Sequence, residues 1–123
     1  MNEAKLFVYG TLKSGCENVF ARLLRRNACL AGRARMPGKL YRVAHYPGML
    51  PSEDPADWVR GEVFIMRHPR PLLKRLDAYE GPAFERVTCT ASLDNGEQTT
   101  AWVYLYRGPV DPQQRIESGE FEI

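Results

Sequence analysis

The sequence predicts an α+β fold, an antiparallel, barrel-like domain rather than a doubly wound sheet. Three observations carry this. Strand candidates outnumber helix candidates about six to two, several successive strands are separated by tight turns, and no repeat, low-complexity stretch or polar linker interrupts the chain. With 123 residues, the chain has the size of one compact domain, expected to span residues 1–123.

The elements follow in order. Lys5–Tyr9 (KLFVY) is short, apolar and β-prone, and Gly10 ends it, so it reads as a buried first strand. After the loop TLKSGCE, Asn18 is suited to cap a helix reaching Arg26, with Val19, Leu23 and Leu24 near its buried face and Arg25 and Arg26 complementing its negative end. Alternation over ACLAGRARM and KLYRVA, broken at Pro37-Gly38, predicts two strands paired through a tight turn. The Pro- and acid-rich stretch YPGMLPSEDPADW is expected to be a loop with an acidic tip. A strand resumes over Arg60–Met66, and a short helix over Pro71–Tyr79 buries Leu72, Leu73 and Leu76. Two last strands, Glu85–Leu93 and Gln98–Tyr106, flank Asp94-Asn95-Gly96, whose Asn-Gly pair is a strong hairpin signal; the tail from Gly108 is expected to be irregular.

Composition narrows the function classes. The chain is 44% hydrophobic and 26% charged, and no apolar run approaches the ~20 residues of a membrane span, so disorder and a transmembrane helix are both disfavoured. The N-terminus lacks the pattern of an export signal, which predicts a cytoplasmic protein. Cys16, Cys29 and Cys89 are far apart, and only His45 and His68 are present, so neither a disulfide nor a metal centre is expected. Residues 1–45 carry nine Lys and Arg against two Glu, a basic half that suits an anionic small molecule or a solvated surface; it lacks the interleaved aromatics of a nucleic-acid reader. A monomer is the default expectation.

Two stretches carry chemistry. Tyr9-Gly10-Thr11-Leu12-Lys13-Ser14-Gly15 has glycines at the spacing of a phosphate loop, but Cys16-Glu17 stands where Lys-Ser or Lys-Thr would be required. What is left is either a turn whose backbone N–H groups converge on a small anion such as a carboxylate, or a plain strand-to-helix turn. The second stretch, Leu76-Asp77-Ala78-Tyr79-Glu80-Gly81, puts acids at the negative end of a helix, an unfavourable position that invites explanation. In an apolar cavity Glu80 would be desolvated and its pKa raised toward the range useful for proton transfer; alternatively it is exposed, or paired with Arg75 or Arg86. Asp77 could tie the helix to a neighbouring strand.

In this order the two stretches resemble the gamma-glutamylcyclotransferase-like family, in which a first strand ends in Tyr-Gly-Ser/Thr-Leu and Leu-Asp-x-x-Glu-Gly follows some seventy residues later. Further matches are Lys13-Ser14-Gly15 with Asn18, Tyr46-Pro47-Gly48, Gly61-Glu62-Val63-Phe64, Ala101-Trp102-Val103-Tyr104 and Ile116–Phe121, so the resemblance covers nearly the whole chain. It is closest to the short bacterial branch and the gamma-glutamylamine cyclotransferases. It implies a small, mixed, mainly antiparallel β-barrel with flanking helices and a cofactor-independent cyclisation of a gamma-glutamyl amine or peptide to 5-oxoproline. It also implies that Tyr9, Gly10, Thr11 and Leu12 hold the glutamyl group and that Glu80 transfers the proton. Tyr106, near the end of the last strand, is a candidate cavity-lining hydroxyl, with a plain barrel role as the alternative. The loop from Tyr46 to Trp58 and the tail are expected to form the amine side. The alternative function is a binding module, without catalysis, for a glutamyl-like carboxylate metabolite.

Overall fold

A computed structural model describes residues 4–122. Seven strands and two α-helices follow in the order β1 (Ala4–Val8), α1 (Val19–Asn27), β2 (Ala28–Pro37), β3 (Lys39–Val43), β4 (Tyr46–Leu50), β5 (Trp58–Met66), α2 (Pro69–Glu80), β6 (Phe84–Leu93) and β7 (Gln98–Tyr106), with a 3₁₀ turn at Pro112–Gln114. Five strands close a barrel in the order β1-β5-β2-β6-β7. Every pairing in it is antiparallel except the closing contact of β1 with β7, where Leu6 lies opposite Trp102. The mixed, mainly antiparallel barrel with flanking helices is therefore the fold.

Alternation along the strands sorts the apolar side chains into two cores. Phe7, Tyr9, Val59, Val63, Ala101, Val103 and Leu105 fill the first. Their strand neighbours Leu6, Val8, Phe64, Met66 and Tyr104 face the second, where Leu24 of α1 and Leu72, Leu73 and Leu76 of α2 cover them. Both helices thus lie against the same outer side of the barrel, which brings the start of α1 and the end of α2 near the end of β1.

Four expectations need correction. β2 does not pair with β3: it runs antiparallel to β5, from Ala28 opposite Met66 to Pro37 opposite Trp58, with a bulge between Leu30 and Gly32. Pro37-Gly38 turns the chain out of the barrel, and β3 pairs instead with β4 in a separate two-stranded sheet. The expected loop accordingly begins with a strand. Pro47 is tolerated because a two-stranded ribbon has an outer edge where a missing N–H costs nothing. The helix expected from Pro71 begins two residues earlier at Pro69. On α1 the buried residues are Ala21 and Leu24, whereas Val19 in the first turn is 65% exposed.

The tail is irregular but not loose. Phe121 is buried in the first core with Ile116 against it, the N–H of Ile116 donates to Leu40 O (2.8 Å) and the N–H of Arg60 to Gly119 O (2.8 Å). Among the described residues, no helix is long and apolar enough to cross a membrane.

Candidate active site

The site begins where β1 leaves the barrel. Tyr9 turns its ring into the first core; its hydroxyl donates to Tyr104 O (2.6 Å) and accepts from the N–H of Met49 (3.2 Å). That hydroxyl is spent on joining β1, β4 and β7. Burial, together with the nearby Glu80 charge, pushes its pKa far up, so it stays protonated.

Gly10 to Lys13 form a β-turn closed by the N–H of Lys13 donating to Gly10 O (3.1 Å). The central N–H groups of such a turn have no internal partner. Here the N–H groups of Gly10, Thr11 and Leu12 make no hydrogen bond among the described residues. Glycine is required at position 10 by close approach, since a Cβ there would lie 2.5 Å from Pro47 Cγ of β4.

The loop is fixed from every side. Ser14 donates its N–H to Glu62 Oε1 (2.6 Å) and its hydroxyl to Glu62 Oε2 (2.7 Å). Arg25 of α1 donates to Ser14 O (3.1 Å) and Cys16 O (2.7 Å), and Lys13 Nζ to Phe121 O (2.6 Å) in the tail. Asn18 works twice: its carbonyl caps α1 by accepting from the N–H of Ala21 (2.8 Å), and its amide donates to Thr11 O (2.7 Å).

The second stretch arrives on α2, whose last residue is Glu80. Gly81 stops the helix at φ 81°, a left-handed conformation suited to glycine, with its N–H donating to Asp77 O (3.1 Å). Tyr79 stacks on Phe20 of α1 with ring centroids 4.3 Å apart, and its hydroxyl shares a hydrogen bond with Thr11 Oγ1 (2.9 Å). The two stretches singled out in the sequence therefore touch directly.

Between them lies a cavity of about 360 Å³, at the small end of ligand-pocket sizes. It is lined by Phe7, Val8 and Tyr9 at the end of β1, by Gly10, Thr11 and Leu12 of the turn, by Tyr79 and Glu80 of α2, by His45, Tyr46 and Pro47 from the β3–β4 hairpin, and by Phe84 and Tyr104. No Lys or Arg is among the lining residues. Glu80 has no hydrogen-bond partner among the described residues, and burial alone raises its pKa to about 7.

Neither pairing alternative for Glu80 occurs among the described residues: Arg75 makes no ion pair with it, and Arg86 is taken by Asp77. Asp77 accepts from Arg86 Nε (2.8 Å) and Nη2 (3.1 Å) and from the Tyr104 hydroxyl (2.7 Å), tying α2 to β6 and β7. The Arg86 hydrogen bonds, outweighing partial burial, hold its carboxyl below the usual range.

Tyr9, Gly10, Thr11, Leu12 and Glu80 all border this one cavity. Tyr106 does not line it: its ring packs edge-on against Phe84 at 5.3 Å and is 8% exposed. Tyr104, two residues earlier on the same face of β7, lines the cavity instead. Strand alternation cannot separate these two tyrosines, which point the same way. Of the expected amine side, Tyr46 and Pro47 line the cavity, while the rest of that loop and the tail do not. His45, Tyr79 and Phe84 were not singled out by sequence reasoning; the aromatic character of Tyr79 beside Glu80 was the one available signal. Among the described residues, no three His, Cys, Asp or Glu side chains group as a metal site requires.

A closed five-stranded barrel, a glycine turn with free main-chain donors and a lone desolvated carboxyl define a small α+β protein built around a single-acid cavity. A family model described as gamma-glutamyl cyclotransferase, AIG2-like matches residues 6–123. The chain belongs to that family. It is 33% identical over 118 residues to the gamma-glutamylcyclotransferase family protein YtfP of Escherichia coli strain K12, covering 95% of each chain. Among solved structures it resembles an AIG2-like protein from Mus musculus (TM-score 0.78, 21% identity, 99% of this chain and 90% of that one). It also resembles YkqA from Bacillus subtilis (TM-score 0.76, 23% identity, 98% of this chain), of which it spans only 40%. At these identities the two structures bear on the fold alone.

Proposed function

We propose that the protein is a gamma-glutamyl cyclotransferase that converts a gamma-glutamyl amine or peptide to 5-oxoproline and releases the amine, with Glu80 as acid and base. One observation carries this reading: Glu80, an unpaired carboxyl with its pKa raised to about 7, lines the same cavity as Gly10, Thr11 and Leu12, whose main-chain N–H groups have no partner among the described residues.

In this reaction the substrate supplies its own nucleophile. The α-amine attacks the γ-carbonyl carbon of the same molecule, a C–N bond closes the five-membered ring, and the original amide C–N bond breaks. No water enters and nothing is oxidised or reduced; the α-nitrogen passes from an ammonium with three protons to a lactam with one, and the two protons it loses end on the departing nitrogen, which leaves as an ammonium. The chain therefore has to hold the glutamyl group folded back and to carry protons from the attacking nitrogen to the departing one, one before attack and one as the amide breaks. The N–H groups of Gly10, Thr11 and Leu12 suit the α-carboxylate and the developing oxyanion, and the absence of Lys and Arg from the lining leaves main-chain donors as the anion ligands. Glu80 with a pKa near 7 is ionised often enough to accept the ammonium proton and acidic enough to return it.

The test is to incubate the purified chain with a panel of gamma-glutamyl compounds and measure 5-oxoproline by mass spectrometry. Product with the wild type and its loss in Glu80→Gln, with substrate binding retained, supports the reading. Saturable binding without product overturns it in favour of a binding module.

A further inference from the structure

Besides the donors described above, the cavity lining carries a connected run of rings. His45, Tyr46 and Phe84 follow one another in edge and tilted contacts, with centroids 6.2 Å apart for His45–Tyr46 and 6.0 Å for Tyr46–Phe84, and Tyr106 supports Phe84 from behind. The first two rings are held by a two-residue hairpin turn, since Val43 pairs with Tyr46 across it. Within that turn Ala44 sits at φ 56°, a left-handed conformation that strains a residue with a Cβ and persists where the surrounding loop is tightly determined.

Charge sets what these rings can accept. The three free N–H groups are engaged by the glutamyl half, no Lys or Arg lines the cavity, and ionised Glu80 adds a negative charge beside the substrate's own carboxylate. A second carboxylate on the leaving amine, as in a gamma-glutamyl amino acid, would find no Lys or Arg counter-charge in the lining and would stand near two anions. His45, the one lining side chain able to carry a positive charge, stands exposed where water screens it. An aromatic or alkyl amine asks for no counter-charge and packs on the rings.

Resting on the cyclotransferase reading, we infer that His45, Tyr46 and Phe84 form the leaving-group subsite, and that it selects gamma-glutamyl amides whose amine is aromatic or apolar and bears no carboxylate.

The experiment compares three substrates on the full chain: gamma-glutamyl-phenethylamide, gamma-glutamyl-phenylalanine, which has the same ring plus a carboxylate, and gamma-glutamyl-ethylamide, which lacks the ring. The phenethylamide should exceed each of the others roughly tenfold or more in kcat/KM. In Phe84→Leu the phenethylamide-to-ethylamide ratio should fall toward one; if that variant does not fold, the wild-type series decides alone. Turnover of gamma-glutamyl-phenylalanine equal to that of the phenethylamide, or an unchanged ratio in folded Phe84→Leu, overturns the subsite and leaves the cyclotransferase reading standing. Turnover of none of the three overturns both.

Discussion

The last turn of α2 presents two acids to two surroundings. Asp77 faces β6 and β7, where a guanidinium and a tyrosine hydroxyl give it three hydrogen bonds, and its carboxyl is held ionised. Glu80, three residues on, faces the cavity with no partner among the described residues, and its pKa is raised to about 7. Both sit at the same negative end of one helix macrodipole, so the dipole cannot explain the difference. What differs is saturation. A carboxylate whose lone pairs are filled becomes a tie between elements, whereas one that is desolvated and left unfilled remains free to take and give a proton. Tyr104 serves both regions, since its hydroxyl anchors Asp77 while the residue lines the cavity of Glu80.

The largest effect that could break this contrast is on turnover. Glu80→Gln should lower kcat by about 10²- to 10⁴-fold, the usual contribution of a positioned acid–base group, while circular dichroism shows an intact fold. Asp77→Asn should leave most turnover in place, because its carboxyl moves no proton. Equal losses in the two variants would abolish the distinction. In the wild type, kcat/KM should rise with pH through about 7 as Glu80 ionises.

Next comes stability against pH. Glu80 in the folded chain binds its proton more tightly than in the unfolded one, so its contribution is fully present below about 4.5 and is lost as pH rises through about 7. At 1.36 kcal/mol per unit the loss is about 3 kcal/mol. Urea midpoints near pH 5 and pH 8 should show the wild type losing this stability and Glu80→Gln not losing it. Asp77 has the opposite sign: its folded pKa lies below the ordinary carboxylate value, so its contribution is present above that value and is lost as pH falls through the folded pKa. Parallel pH profiles for wild type and Glu80→Gln would show that the carboxyl is hydrated.

Much of this contrast was legible in the sequence because it depends on local features. The turn at Gly10, the cap at Asn18, the leucines of α2 and the Asn95-Gly96 hairpin are each written within a few residues. That Asp77 would be the tie and Glu80 the free acid was left open, since the answer lies in Arg86 and Tyr104 on other strands. The pairing of β2 with β5 was missed for the same reason: alternation tells which side of a strand is buried, not which strand lies beside it. The strand β4 was hidden by Pro47 and Gly48, residues that signal a loop until a two-stranded ribbon accommodates the proline at its edge.

A smaller effect measures the tie itself. Asp77→Ala removes three hydrogen bonds, two of them from a guanidinium, but the side chain is 43% exposed and Arg86 keeps its place over the Trp102 ring at 4.4 Å. Discounted for solvent, the cost should be about 1 kcal/mol in urea unfolding.

The smallest expected effect concerns the one bond that joins the two stretches, Thr11 Oγ1 to the Tyr79 hydroxyl at 2.9 Å. Thr11→Val keeps the branched shape, and Tyr79→Phe keeps the ring stacked on Phe20, so each removes one partner and little else. Each single change leaves the other hydroxyl unfilled in a partly buried place, at a cost of about 1 kcal/mol, while the double variant has no unfilled partner left. The double-mutant cycle should therefore return a coupling of about 0.5 to 1 kcal/mol. A coupling within error of zero would mean that loop and helix are held in register by Asn18, Glu62 and Asp77 alone, and that Thr11 belongs to the substrate rather than to the frame.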